Sequence, residues 1–323
     1  MKLHRIVPFL ALVGAALAQQ PKPGYSVGGA EHGIMVRPAQ IYLSPDNTSA
    51  KLATLERGRE VALLEKGGGE WVHVLAVLAE ARGEMDSEKT VTGWVLDKGV
   101  VRPSTPNGDR ILFGEAVNSE SEASRRGGRK GAAGDAFRLY AKCAEFFPDS
   151  PVAGDAAYRA ADIQWQLERS DVMTRPSARQ RDPNMRFGMN EEMMRKVMKK
   201  FPGTKWADLA AFHLIENKLC GDWQGLSKCP EKESELYEKY AAEHPQSPTA
   251  AEAMYEAAWR HGALIEIYKT EGKPNKIGEN QSKARVLAER IISQFPQTDW
   301  ADRAQTLIYM LQQQIPIYGN MVE

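Results

Sequence analysis

Phe201-Pro202-Gly203-Thr204-Lys205-Trp206-Ala207-Asp208-Leu209-Ala210 returns later in the chain as Phe295-Pro296-Gln297-Thr298-Asp299-Trp300-Ala301-Asp302-Arg303-Ala304, with Phe, Pro, Thr, Trp, Ala, Asp and Ala in the same places. Two looser copies are Phe147-Pro148-Asp149-Ser150-Pro151-Val152-Ala153 and His244-Pro245-Gln246-Ser247-Pro248-Thr249-Ala250. An amphipathic stretch precedes each proline, with apolar residues at helical spacing, as in Leu236, Tyr237, Tyr240 and Ala241. The proline lacks an N–H and restricts the residue before it, so the first helix stops there. Ser150, Thr204, Ser247 and Thr298 are placed to cap a second helix, and Pro151 and Pro248 sit where a first helical turn tolerates proline. Each unit therefore reads as a helical hairpin, with Ala210, Ala211 and Ala304 allowing close helix approach.

This pattern resembles the tetratricopeptide-type repeats of bacterial envelope proteins. It is similar to the outer-membrane-assembly lipoproteins of the BamD type and to the repeat domain of the cell-division coordinator that accompanies the Tol-Pal system. The resemblance covers residues 135–316 and implies a partner-binding helical array. The intervals between successive prolines are 54, 43 and 51 residues, against about 34 in regular arrays, so insertions are expected at 170–190, 221–231 and 271–280.

Working toward the N-terminus, residues 103–134 combine Pro103, Pro106, a Ser/Glu stretch and Arg125-Arg126-Gly127-Gly128-Arg129-Lys130, and read by composition as a linker. Before it, residues 30–102 contain five strand-sized runs: 34–36, 41–43, 61–64, 71–74 and 92–96. Turn formers separate them, among them Ser44-Pro45-Asp46-Asn47 and Gly67-Gly68-Gly69. The segments Leu55 to Val61, Trp71 to Val74 and Gly93-Trp94-Val95 resemble those of a bacterial SH3-like domain. That resemblance implies a small, non-catalytic all-β barrel that binds short peptides or cell-wall polymers. The stretch 76–91 is longer than the corresponding family connection and is expected to form an extended hairpin or a surface loop. Tyr42, Trp71 and Trp94 are the candidate ligand-binding residues, because flat aromatic faces give large contact area at low entropy cost. For Trp71 and Trp94 the stronger expectation is that they fill the core of a small barrel, which has few other large residues. The expected fold is thus multidomain: a small all-β SH3-like barrel followed by an all-α array of helical hairpins.

Residues 1–18 have the basic, apolar and small-residue regions of a secretory signal peptide, ending at Ala16-Leu17-Ala18. The expectation is an exported protein, periplasmic or secreted, not lipidated because no cysteine follows the cleavage site, and without a transmembrane segment. The 323 residues carry 42 Lys+Arg and 42 Asp+Glu, so nothing favours nucleic acid as a partner. Three cysteines and six histidines leave little material for a metal centre. Cys220 and Cys229 flank a short loop, with His213 on a helix just before it. A disulfide closing that loop is the first reading in an exported chain and free thiols the second, with a metal site last because the spacing matches no zinc pattern. Neither a catalytic motif nor a cofactor site is expected, and the adjacent acids Glu191-Glu192 and Glu231-Glu233-Glu235 read as solvated helix faces. The function implied is an exported, non-catalytic scaffold that binds an envelope protein or peptide, with a peptidoglycan-binding accessory protein as the alternative.

Overall fold

The computed structural model describes residues 29–78 and 89–319; the expected signal peptide lies outside them. Seven strands come first: β1 (Glu31–Met35), β2 (Ala39–Tyr42), β3 (Lys51–Leu55), β4 (Glu60–Lys66), β5 (Trp71–Leu78), β6 (Lys89–Leu96) and β7 (Val100–Val101). They form one antiparallel sheet in the order β3-β2-β6-β5-β4-β1-β7, curled into a half-barrel. This corrects the expected small SH3-like barrel. Lys51–Leu55 and Val100–Val101 add edge strands that the five runs omit. β5 and β6 pair from Trp71↔Leu96 to Leu78↔Lys89, so both described ends of the stretch 76–91 continue the hairpin as strand.

The strands obey the two-residue period of a pleated sheet. Met35, Ile41, Leu55, Val61, Leu63, Val72, Val74, Ala76, Val95 and Val100 meet on the inner face and make its core. The alternate positions of β4, β5 and β6 point the other way.

Nine α-helices follow among the described residues: α1 (Gly108–Ala123), α2 (Ala132–Phe146), α3 (Ala153–Val172), α4 (Glu192–Lys200), α5 (Lys205–Glu216), α6 (Lys228–Glu243), α7 (Ala250–Thr270), α8 (Ile277–Gln294) and α9 (Asp299–Gln313). Helix α1 occupies the segment read as a linker. It buries Leu112 and Ala116 against α2, and its buried Glu115 pairs with Arg37 (2.9 Å) and Arg57 (3.5 Å) of the β region. The composition misleads there because only Leu112 and Ala116 of its apolar residues are fully buried, with Phe113 half-buried beside them and Ile111 and Val117 exposed among polar neighbours.

Each Phe-Pro or His-Pro turn ends one helix and starts the next: α2 to α3, α4 to α5, α6 to α7 and α8 to α9. Thr204 and Thr298 are N-caps, accepting from the N–H groups of Ala207 (3.5 Å) and Ala301 (3.3 Å). Ser150 and Ser247 instead accept from Val152 and Thr249, both at 3.2 Å, within the turn. Helices α3 and α7 start after Pro151 and Pro248, at Ala153 and Ala250, so neither proline is a first helical residue. Ala210 and Ala304 are fully buried at helix contacts. The inserted segments carry three single turns of 3-10 helix, at Pro176–Arg179, Pro183–Met185 and Pro274–Lys276. Among the described residues no helix is long and apolar enough to cross a membrane.

Candidate functional site

The outer face of the sheet gathers the aromatic residues singled out in the sequence. Tyr42 pairs across the sheet with Trp94, and Trp94 with His73. Trp71, two residues before His73 on β5, points the same way. Tyr42 meets Trp71 edge to face at 5.5 Å between ring centroids, and His73 stacks on Trp94 at 4.7 Å. All four rings are half-buried, and none belongs to the inner-face core. The packing role expected of Trp71 and Trp94 is therefore taken by Val72, Val74 and Val95, the residues on the opposite face of the same strands.

The turn from β4 to β5 brings bare backbone against these rings. Gly67 donates its N–H to the Trp71 carbonyl (2.9 Å), and a Cβ placed on Gly67 would come within 2.5 Å of Trp94 Cζ3 and 3.3 Å of Trp71 Cβ. Only glycine lets the turn lie this close. At the strip's edge His73 Nδ1 lies 3.4 Å from the exposed Glu65 carboxylate. A flat, half-exposed aromatic strip with one carboxylate at its margin suits extended ligands, since rings bury large area while fixing few torsions. His73 is the member absent from the expected set. Its signal was the two-residue alternation after Trp71, which places it on the same face.

The chemistry-bearing residues elsewhere are satisfied within the fold. Cys220 and Cys229 form a disulfide with Cα atoms 6.1 Å apart. Glu233, 2% exposed, accepts from the Cys220 N–H (2.8 Å) and the Trp223 indole (3.1 Å) with one oxygen, and from Arg260 Nε (2.8 Å) with the other. The carboxylate thus fastens the disulfide loop to α6 and α7. His213 turns away from the cysteines toward α3, contacting Tyr158 (3.1 Å) and Asp162 (3.3 Å), and burial holds its imidazole below the ordinary histidine range. Cys143 is buried, and burial pushes its thiol up to about 12, so it stays protonated and unreactive. Glu191 and Glu192 bind Arg195 (2.5 Å) and Lys196 (2.6 Å) on their own helix, while Glu231 binds Tyr268 and Lys276. Glu231 and Glu235 line one cavity with Glu238 and Glu279, and the buried Glu233 corrects the expectation of a solvated face for that group.

No family model and no curated protein matches the chain. Among solved structures, it is similar to the "DHF58 filament" (16% identity, TM-score 0.24), covering 64% of this chain and 91% of that one. The "DHF119 filament" (17%, TM-score 0.25) covers 64% and 92%, and the "DHF79 filament" (15%, TM-score 0.19) covers 62% and 96%. Likenesses with TM-scores this low carry no argument about fold or function.

Proposed function

We propose that this chain is an exported, non-catalytic binding protein of the cell envelope, a scaffold that holds a partner protein or peptide. The observation that carries the reading is the strip of Tyr42, Trp71, His73 and Trp94, half-exposed on the sheet face opposite the core. Large rings kept at the surface cost solvation unless a ligand covers them. The Cys220–Cys229 disulfide supports an oxidising compartment outside the cytoplasm, in keeping with the signal-peptide pattern of residues 1–18. The helical hairpins add extended surface beside the strip.

The test is direct titration. Partners retained by the full chain from envelope extract are identified, purified and titrated against the wild type and Trp94→Ala. The expected result is a loss of about tenfold or more in affinity for a variant with an unchanged circular-dichroism spectrum, because interface tryptophans are frequent hot spots. Unchanged affinity in Trp71→Ala and Trp94→Ala alike would overturn the assignment of the strip. Retention by purified peptidoglycan, lost in the same variants, would make the wall polymer the ligand in place of a protein.

A further inference from the structure

The outer face of the sheet does not end at the aromatic strip. Outward positions continue along β5 as Leu75 and Val77 and along β6 as Thr92 and Thr90. There α2 stands over the sheet. Between strand residues Ala62, Leu64, Leu75 and Val77 and helix residues Phe137 and Ala141 lies an apolar cleft of about 670 Å³. Gly58 sets its closed side. With φ at +74° and an imagined Cβ 2.6 Å from Arg138 Cβ, it lets the turn from β3 to β4 press directly onto α2. The two alanines leave the space between sheet and helix unfilled, and Leu64 and Val77 remain 47% and 39% exposed within it.

The character of the occupant follows from what the walls lack and what the rim supplies. Strands β4 and β5 are interior to the sheet, so apart from the bulge at Leu64 and the β4 side of β5 beyond Ala76 their backbone N–H and C=O groups are already paired. A peptide laid on this floor would bury most of its own amides without partners, at about 1–3 kcal/mol for each unmet group. An acyl chain has no such groups and recovers about 25 cal/mol per Å² of apolar surface removed from water. At the rim, Arg59 and Arg138 both reach the single exposed carboxylate of Glu56, each at 3.2 Å. Arg138 is also paired with Asp135. Glu60 is already engaged by Lys142 (2.5 Å) and His32. Burial works to raise the Glu60 carboxyl, but these two partners outweigh it and hold it below the usual range. Arg138 also donates its Nε to the Arg57 carbonyl (3.0 Å) and is already engaged, whereas Arg59, paired with Glu56, keeps guanidinium N–H groups for a charge-assisted hydrogen bond to a second carboxylate.

We propose that this cleft binds a long-chain carboxylate, its acyl chain on the apolar floor and its head group at Arg59. The volume lies within the range of small-molecule sites, about 300–1,000 Å³. The inference goes beyond the partner-binding reading and does not depend on it, because the cleft residues and the aromatic strip are different side chains.

The experiment is calorimetric titration of the full chain with sodium laurate below its micelle concentration, in parallel with neutral dodecanol and with dodecyltrimethylammonium. Saturable single-site binding of laurate is expected, about tenfold tighter than the alcohol, with the cation weakest. Leu64→Glu changes a residue already half-exposed, so folding is retained, and it should weaken laurate by about tenfold or more. Ala141→Trp, which fills the cleft, should abolish binding. Trp94→Ala should leave laurate affinity unchanged even where it removes partner binding, which separates this proposal from the preceding one. Absence of saturable binding, equal affinity for the cationic amphiphile, or laurate affinity unaffected by Leu64→Glu would each overturn it. An extended peptide displaced from the wild type by filling the cleft would replace the acyl chain as occupant.

Discussion

Glu233 shows how a single side chain holds three parts of the molecule together. Its two oxygens satisfy a backbone amide beside the disulfide, an indole and a guanidinium, and almost none of it touches water. Arg260 has further partners in Glu256 and in the Tyr237 ring, 4.6 Å from its guanidinium carbon. Glu233→Gln keeps the shape but leaves the Arg260 charge with one carboxylate fewer, so a loss of about 3–5 kcal/mol is expected in denaturant unfolding. A loss below about 1 kcal/mol would show that Glu256 alone suffices. Glu271 makes a second, pH-readable prediction. Lys273 (2.6 Å) and the Ser227 N–H (2.9 Å) pull its carboxyl down to about 2. The folded value lies below the unfolded one, which is near 4.3. The stabilisation is therefore complete above about pH 5 and is lost as pH falls toward 2. Thermal midpoints across that window should decline in the wild type and decline less in Glu271→Gln. Parallel curves would remove Glu271 from the acid limb.

At the scale of elements, the disulfide loop makes the next prediction. Thiol titration of the denatured, unreduced protein should find only Cys143 reactive, and reduction should cost about 2–3 kcal/mol for a loop of this length. Three reactive thiols in exported protein would rule the bridge out. The hairpin turns were legible in the sequence because Thr204 and Thr298 act locally: an aromatic residue, a proline and a hydroxyl two places on determine where one helix stops and the next begins. Ser150 and Ser247 were misplaced because their hydroxyls close the turn around a second proline, deferring the helix start to Ala153 and Ala250. The strand runs were equally visible, but their number and pairing were not. Pairing β1 with both β4 and β7 is a long-range choice that no local pattern reports. The same limit explains α1, whose stripe of Leu112 and Ala116 has meaning only once α2 and the sheet are beside it. Of the candidate site, Tyr42, Trp71 and Trp94 were legible as types. Their common face required the register, and so did His73. The cleft was hidden altogether, since Leu64, Leu75 and Val77 come from the strands but Phe137 and Ala141 come from a helix that lies far along the chain.

For the molecule as a whole, the boundary between β and α parts is itself a core. Ile34 and Val101 leave the sheet's own interior and pack with Leu112 and Ala116 of α1 and with Leu139, Tyr140 and Cys143 of α2, all of them buried. Polar links cross the same boundary: Glu115 to Arg37 and Arg57, Lys142 to Glu60, and Arg138 Nε to the Arg57 carbonyl at 3.0 Å. A shared apolar core makes the stability of one part depend on the presence of the other, unlike a flexible tether, where two domains melt independently. The sheet and the α1–α2 pair should therefore unfold in one calorimetric transition. A fragment beginning at residue 108 would expose Leu112, Leu139 and the flank of Tyr140 to water. Exposing Leu112 and Leu139 fully would amount to about 3–6 kcal/mol at roughly 1.5–3 kcal/mol per large apolar side chain. That fragment should melt several degrees below the full chain. A variant that weakens the junction from the sheet side, Ile34→Ala, should lower the melting temperature of the helical signal as much as that of the strand signal. If Ile34→Ala shifted only the strand signal, and the fragment from 108 melted with the full chain, the junction would be a contact between independent domains and not a common core.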